Sequence, residues 1–214
     1  MMPEKRKNVL SLIAVFIVSF VAVLVIAVIY KCIRTTDNIG GISYMHGTYI
    51  IDTTDLREVI GNADYVFVGN VVSEDGTVYK FPVMVEDENG NEYEVASPYT
   101  NFTVEIQENI KGNLNTEYAI PIQKAGGLAQ DGSGYFVYED DILPEVGSTY
   151  VFFAFAQPDG SLLIAGANSN IELPAATGVM AAGEAANVYD EVLEAFETQI
   201  ETNRERFVSK YAVD

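Results

Sequence analysis

The chain contains 214 residues, and its 12 Lys and Arg residues face 31 Asp and Glu residues, so its formal net charge is −19 at pH 7. This excess of negative charge argues against nucleic acid and anionic lipid surfaces as partners of residues 35–214, which contain 30 of the acidic residues. One Cys and one His leave little material for disulfides, zinc sites or His-dependent catalytic triads.

The first predicted element is a transmembrane helix over residues 9–30. These 22 residues carry no charge, and Ser11 and Ser19 are the only polar interruptions. At about 1.5 Å per residue, such a helix spans roughly 33 Å, the thickness of the hydrocarbon core of a bilayer. No small-residue cleavage site follows, and Lys31 directly precedes the single cysteine, Cys32. We therefore interpret the stretch as an uncleaved signal anchor that contacts membrane lipid.

Charged residues predict the orientation of this anchor. Residues 1–8 contain three basic residues, and two more follow the span closely. Residues 35–214 contain seven of the 12 basic residues and 30 of the 31 acidic ones. The positive-inside rule then predicts a cytoplasmic tail over residues 1–8 and a C-terminal domain outside the cell membrane. Residues 31–53 include paired glycines and sustain no apolar period, which is typical of a tether.

Residues 54–175 are interpreted as one β-rich domain. A short helix is expected over residues 55–60, with Thr54 as its N-cap and Gly61 as its end. Runs of β-branched and aromatic residues then predict strands, Gly69 indicates a bulge, and Asn89-Gly90 is the signal of a hairpin turn. The predicted strands cover residues 65–72, 78–85, 92–96, 100–109, 118–123, 135–138, 149–156, 162–166 and 169–173. Many strands without helices between them favour an antiparallel barrel or sandwich.

The composition becomes helical after Pro174. Residues 182–211 are predicted to form a C-terminal helix, because apolar residues recur at helical spacing and the other positions are largely acidic. The apolar positions are Val188, Val192, Phe196, Ile200, Phe207 and Tyr211. Such a helix would pack on the domain or on a partner.

Carboxylates are the only abundant groups that could carry chemistry. The first cluster consists of hard oxygen ligands that suit Ca²⁺, and it comprises Glu86, Asp87, Glu88, Asn89, Asn91 and Glu92. A charged hairpin tip is the alternative interpretation. The second cluster, Glu139, Asp140, Asp141 and Glu145, has the same alternative. The single histidine, His46, lies in the predicted tether and is interpreted as solvated. No catalytic residue and no cofactor other than this Ca²⁺ candidate is predicted.

Three stretches, residues 63–73, 104–112 and 150–173, together resemble a known module. They are similar to the first strand, the following strand with its Ile110-Lys111-Gly112 turn, and the closing hairpin of the netrin-like module of tissue inhibitors of metalloproteinases. Similar stretches recur in uncharacterised membrane-anchored cell-surface proteins of Gram-positive bacteria. The resemblance covers about residues 55–173 and implies a five-stranded OB-fold-like barrel. It implies no inhibitory residue, because that family chelates zinc through an N-terminal cysteine and this domain has none.

The sequence therefore predicts a mainly β chain: one N-terminal transmembrane helix, an OB-fold-like antiparallel β-barrel and a C-terminal α-helix. The favoured function is a membrane-anchored extracytoplasmic binding module that contacts another envelope protein or a wall component. Two alternatives stay open. One is an extracellular hydrolase that depends on carboxylates or a metal. The other is an accessory subunit of a membrane complex, docked through Phe196, Ile200 and Phe207.

Overall fold

The computed structural model describes residues 41–174 and 179–213 of the chain. The predicted tail, the transmembrane helix and residues 31–40 of the tether lie outside these ranges. Within them, neither helix has the length and apolarity that crossing a bilayer requires. The described chain is mainly β and carries a helix near its C-terminal end, as the sequence predicts.

The described residues form nine strands and two helices. In chain order they are β1 (Ile42–Met45), α1 (Leu56–Asn62), β2 (Tyr65–Glu86), β3 (Glu92–Lys111), β4 (Ile120–Ala125), β5 (Gly127–Leu128), β6 (Tyr135–Tyr138), β7 (Thr149–Ala156), β8 (Leu162–Ile164), β9 (Asn170–Leu173) and α2 (Val179–Glu197). The strands predicted over residues 65–72 and 78–85 are joined in one long strand, β2. Those predicted over residues 92–96 and 100–109 are likewise joined in β3. They merge because several register shifts between β2 and β3 bend the pair without ending it.

Five strands pair in a closed ring. Its order is β2-β3-β4-β8-β7, and β7 returns to β2. The β4–β8 pair is parallel, whereas the other four pairs are antiparallel. The prediction of an antiparallel sheet therefore fails at this one link of the ring. A closed ring with an odd number of strands cannot alternate direction throughout, so one parallel pair is required. β9 pairs with the part of the β7 edge that β8 leaves free.

Two apolar clusters flank the sheet. The first lies on the ring's inner face and includes Phe67 and Phe152, whose ring centroids are 5.4 Å apart. The second includes Val66, Phe153 and Val192, and it joins the outer face of β2 and β7 to both helices. Because β2 and β7 are covered on both faces here, their sequences are continuously apolar and do not alternate.

The predicted bulge at Gly69 is confirmed by a register shift between Val68 and Gly69. A side chain could not replace the glycine hydrogen, because a Cβ at Gly69 would lie 2.4 Å from Cγ1 of Val104. The close approach lets β2 bend around the inner core.

The short helix is confirmed, but its N-cap is Asp55 and not Thr54. The side chain of Asp55 accepts a hydrogen bond from the backbone N–H of Arg57. An aspartate in extended conformation is as good an N-cap as the predicted threonine, and its position one residue later sets the start of α1.

The predicted end of the C-terminal helix at residue 211 is wrong, because α2 ends at Glu197. Residues 198–213, here called the C-terminal segment, follow an irregular path back across the domain. The backbone N–H of Ile200 donates to the carbonyl of Arg57 at 3.0 Å. Phe207 and Tyr211 pack against the inner core cluster. The apolar residues at helical spacing therefore pack on two different surfaces of the domain. Val192 and Phe196 lie in α2 and pack on the outer cluster, whereas Phe207 and Tyr211 lie beyond the helix and pack on the inner one.

The prediction that the tether runs to residue 53 is also wrong. Residues 42–45 form β1, which pairs in parallel with β6. The hydroxyl of Tyr49 accepts a hydrogen bond from the backbone N–H of Ala167 at 3.1 Å. Residues 42–49 therefore belong to the described domain, because the backbone of β1 and the hydroxyl of Tyr49 bond to residues far along the chain.

Candidate functional site

The outer halves of β2 and β3 form a two-stranded arm, defined here as residues 77–98. Within the described part of the chain, β7 pairs with β2 over residues 65–70, and β4 pairs with β3 over residues 100–104. Beyond these points the two strands pair with each other, and the one further backbone link among the described residues joins Gly126 to Pro98 and Tyr99 at the base of the arm. A two-stranded ribbon has no second layer of its own, so its side chains stay in contact with solvent.

One face of the arm is apolar and exposed. Val83 lies opposite Val95, and Val85 lies opposite Tyr93, so all four side chains share a face. Their exposed fractions are 57% for Val83, 39% for Val95, 38% for Val85 and 51% for Tyr93. A contiguous exposed apolar surface is typical of a site that contacts another molecule.

A bulge at Phe81 extends this apolar face toward the ring. Phe81 has a φ of 55°, and the register between β2 and β3 shifts between Lys80 and Val83. A bulky residue with positive φ is uncommon, so the conformation requires support from its surroundings. The Phe81 ring packs edge-on against the Tyr99 ring, with 6.0 Å between the two ring centroids, yet Phe81 is 69% exposed. The bulge therefore presents an aromatic ring to solvent.

A groove of about 470 Å³ runs beside the outer edge of β3 in the arm. Residues 93–96 form one wall, and the opposite wall includes Asp131 and Phe136. Carboxylates stand on both walls, because Glu94 belongs to the first. Hydrogen bonds from Ser133 hold the pKa of Asp131 below its usual value, so this carboxylate is ionised at neutral pH. The groove is thus part apolar and part acidic. The groove was not predictable from the sequence, because its walls come from segments that are distant in the chain.

The predicted calcium ligands, Glu86, Asp87, Glu88, Asn89, Asn91 and Glu92, lie at the tip of the arm. One oxygen of Asp87 accepts from the backbone N–H groups of Asn89 and Asn91, both at 2.8 Å, and the other accepts from Nδ2 of Asn91 at 2.9 Å. These bonds, above all that from the Asn91 side chain, lower the pKa of Asp87. Asp87 therefore closes the turn with both oxygens.

The described residues contain no group of three or more His, Cys, Asp or Glu side chains arranged to hold a metal ion. The geometry at the tip of the arm is that of a charged hairpin turn. Calcium binding by these six residues stays a prediction.

The second acidic cluster is divided between two environments. Glu139 is exposed, and its Oε2 lies 2.6 Å from Nδ1 of His46, the histidine of the predicted tether. Asp141 instead points inward, and its side chain is fully buried. Neighbouring positions in the sequence therefore do not form one site.

Asp141 belongs to a buried polar cluster with Lys124 and Ser169. Lys124 alternates with Ile120 and Ile122 on the inner face of β4, and its ammonium group donates to the carboxylate of Asp141 and, at 2.5 Å, to Oγ of Ser169. Burial lowers the pKa of Lys124 and raises that of Asp141, because each charged form loses its hydration. The alternation of Lys124 with two isoleucines is the sequence signal that would have identified it as buried.

This cluster is the best catalytic candidate among the described residues, because a lysine beside a serine can activate the hydroxyl. Its geometry favours a structural role. Ser169 is only 3% exposed, and the ammonium of Lys124 is held by Asp141. A cavity of about 200 Å³ borders Ser169, and Tyr49 and Phe153 share its lining, but neither Lys124 nor Asp141 lines it. A molecule in this cavity would therefore not contact the lysine. The cluster joins β4 to two loops and so stabilises one end of the ring.

Two residues with positive φ position these loops. Asp140, at 56°, precedes Asp141, and Asn168, at 51°, precedes Ser169. The backbone N–H of Asn168 donates to the carbonyl of Asp140 at 2.7 Å. Asp and Asn tolerate this conformation better than other residues with side chains, which explains their presence here.

The apolar residues proposed for docking to a membrane partner do not form one exposed helix face. Phe196 packs against the outer apolar cluster, and Phe207 packs against the inner one. Ile200 lies beyond the end of α2 and is 44% exposed. Among the described residues, the arm therefore offers the more continuous exposed apolar surface.

Comparison of the chain with protein-family models and with curated proteins finds no match.

Proposed function

We propose that the chain is a membrane-anchored binding module and that its arm docks a partner protein of the cell envelope. The observation that carries this proposal is the exposed apolar face formed by Val83, Val85, Tyr93 and Val95. Burying an exposed apolar surface contributes about 25 cal/mol per Å², so a partner that covers this face gains affinity from it.

The strand order supports assigning the domain to the OB-fold class. A ring of five strands with one parallel pair suits the small Greek-key barrel of that fold. OB-folds bind ligands with the loop between their first two strands, and the arm occupies that position between β2 and β3. The resemblance of residues 63–73, 104–112 and 150–173 to the netrin-like module agrees with this proposal. The negative charge of the domain favours a protein partner over nucleic acid.

The membrane location in this proposal rests on residues 9–30 as the anchor and residues 1–8 as the cytoplasmic tail. The arm of 22 residues, from 77 to 98, carries this apolar face beyond the residues of β2 and β3 that pair within the ring. The partner would then be another envelope protein or a protein bound to the wall.

A photo-cross-linking amino acid in the arm tests the proposal directly. It would replace Val83 or Phe81 in the full-length chain, in the membranes of the source cells. Tyr118 is the matched control, because it is 55% exposed and lies outside the arm. We expect one reproducible adduct from the arm positions and none from position 118. Equal labelling at all three positions, or no adduct at any, would refute arm docking.

A further inference from the structure

The outer edge of β3 is open along the arm because the chain bends away from it at a pair of glycines. Gly126 still donates to the carbonyl of Pro98 at 2.9 Å, but Gly126 and Gly127 have φ values of 110° and 146°. A Cβ at Gly127 would lie 2.2 Å from Oγ1 of Thr100, so the bend requires glycine. After this bend, no strand in the described ranges pairs with the outer edge of residues 92–97.

The returning chain forms the second wall of the groove. After β5 it passes through residues 129–133 and then enters β6, which contains Phe136. The hydroxyl of Tyr79 donates to the carbonyl of Ala129 at 3.4 Å and ties this wall to the arm. The volume of about 470 Å³ lies within the usual range of ligand-binding clefts. The unpaired edge of β3 therefore faces a groove and not open solvent.

The register of the arm dictates the side-chain pattern of a strand added at this edge. Successive side chains of a strand alternate between its two faces. Every second residue of an added strand would extend the apolar face beside Tyr93 and Val95. The intervening residues would lie on the face of Glu94, toward the wall that contains Asp131. Apolar residues fit the first face and cations fit the second.

Charge favours an added strand from a basic partner over one from a second copy of the chain. Residues 77–95 contain five acidic residues and one basic residue, Lys80, and the whole chain carries a net charge of −19. Two such arms would repel each other, whereas a basic segment is attracted.

We propose that the groove binds an extended segment of a partner protein as an additional β-strand beside residues 93–96, and that apolar residues alternate with Lys or Arg in this segment. Backbone hydrogen bonds to the open edge supply affinity, and alternate side chains supply specificity. This inference rests on the proposed function, because it specifies the chemistry of the partner that the arm docks.

A labelled peptide of alternating Lys and Val is the probe, titrated into the full-length chain in detergent micelles and followed by fluorescence polarisation. Two control peptides separate the contributions: alternating Glu and Val, and the Lys-Val peptide with every second amide N-methylated. We expect saturable binding of the first peptide and weaker binding of both controls. N-methylation removes edge hydrogen bonds worth about 0.5–1.5 kcal/mol each, so loss of two predicts at least about fivefold weaker binding.

Matched protein variants test the position of the site. Glu94→Gln with Asp131→Asn removes two charges from the groove, whereas Glu88→Gln with Glu117→Gln removes two exposed charges outside it. We expect the groove pair to weaken binding roughly twofold to tenfold and the control pair to have a smaller effect. Equal weakening by both pairs would indicate unspecific charge attraction and overturn the inference. So would equal affinity for the N-methylated peptide, or no binding.

Two further results separate this inference from the proposed function. If arm adducts form in membranes and the groove variant leaves them unchanged, the arm docks a partner but the groove does not take a basic strand. If the peptide binds in the groove but no arm adduct forms, arm docking fails while the groove chemistry stands. A dimer of the full-length chain that the groove variant dissociates would identify a second copy as the occupant and overturn the inference.

Discussion

Replacement of Lys124 by Met removes the cation of the buried cluster and leaves Asp141 inside the domain without its counter-ion. Both side chains are 0% exposed, so solvent cannot compensate for the loss. Removing one partner of a buried ion pair costs about 3–5 kcal/mol, compared with a total stability of about 5–15 kcal/mol for a typical domain. Ser169 still hydrogen-bonds to Asp141, and we therefore expect a loss of about 3 kcal/mol in the free energy of unfolding.

The loss should depend on pH in a defined direction. Burial already raises the pKa of Asp141, and the nearby Lys124 opposes this effect. In Lys124→Met the folded pKa of Asp141 rises further above its unfolded value of about 3.9. Between these two pKa values the folded state holds a proton that the unfolded state has released, so stability falls as pH rises through this window. The destabilisation relative to wild type is therefore smaller near pH 4 than at neutral pH.

Urea denaturation of the full-length chain in detergent, followed by tyrosine near-ultraviolet circular dichroism, measures both effects. The control is the double variant Lys124→Met with Asp141→Leu, which removes both charges and should recover most of the stability. A loss below about 1 kcal/mol in Lys124→Met would contradict the assignment of a buried ion pair. The same contradiction would follow if the double variant were as unstable as the single one.

Three further predictions concern the helices and the C-terminal segment. A Cβ at Gly61 would lie 1.9 Å from a carbonyl oxygen of that segment, so Gly61→Ala should destabilise the domain by about 1–3 kcal/mol. Gly183→Ala is its matched control, because nothing lies within 4 Å of the new Cβ, and it should stabilise α2 by about 0.5–1 kcal/mol. Urea denaturation measures the free energy of unfolding of both variants, and equal effects would contradict the close approach at Gly61. Burial lowers the pKa of Lys111 to about 8, below its unfolded value of about 10.4. The unfolded state therefore binds more protons between these values, so wild-type stability should rise with pH through this window, and Lys111→Met should remove the rise when unfolding is measured across it. Asp64 accepts hydrogen bonds from two arginines of the C-terminal segment at 2.6 and 3.0 Å, and its other oxygen accepts from the backbone N–H of Ala156 at the end of β7 at 2.9 Å. Because an asparagine keeps one acceptor oxygen but loses the charge that holds the arginines, Asp64→Asn should speed hydrogen exchange more in that segment than in the ring; uniform acceleration would refute this local role.

Strands were predictable where one local pattern sufficed. The predicted strand over residues 149–156 matches β7 at both ends, because a continuous run of β-branched and aromatic residues is buried on two faces. The turn at Asn89-Gly90 is equally local, since Asp87 closes it with bonds to residues two and four positions away. Such features depend on neighbours in the sequence and are therefore visible in it.

Features that depend on distant contacts were not predictable in the same way. Phe207 and Tyr211 continue a helical period, but the chain leaves the helix at Glu197 and both residues pack on the ring. β1 was assigned to a tether because its partner, β6, lies about 90 residues later. The spacing of apolar residues indicates burial and does not identify the surface that buries them.

The candidate site divides along the same line. Sequence rules found the acidic tip but neither the groove nor the apolar face as a unit. The apolar face requires the register that places Val83 opposite Val95, and the groove requires the bend at Gly126. Lys124 was assigned to no site, although its alternation with isoleucines on β4 indicates burial.

The apolar face of the arm provides a test that separates binding from stability. If no part of the chain covers Val83 and Tyr93, their side chains contribute little to the folded domain, and the double variant Val83→Ser with Tyr93→Ser should change the free energy of unfolding by less than about 1 kcal/mol. The same variant should abolish the cross-linked adduct from Phe81, because the apolar contact area is lost. A destabilisation of about 2 kcal/mol or more would mean that the chain itself covers this face, and arm docking would then lose its main support. A stable variant without the adduct would assign the apolar residues to the partner and not to the fold.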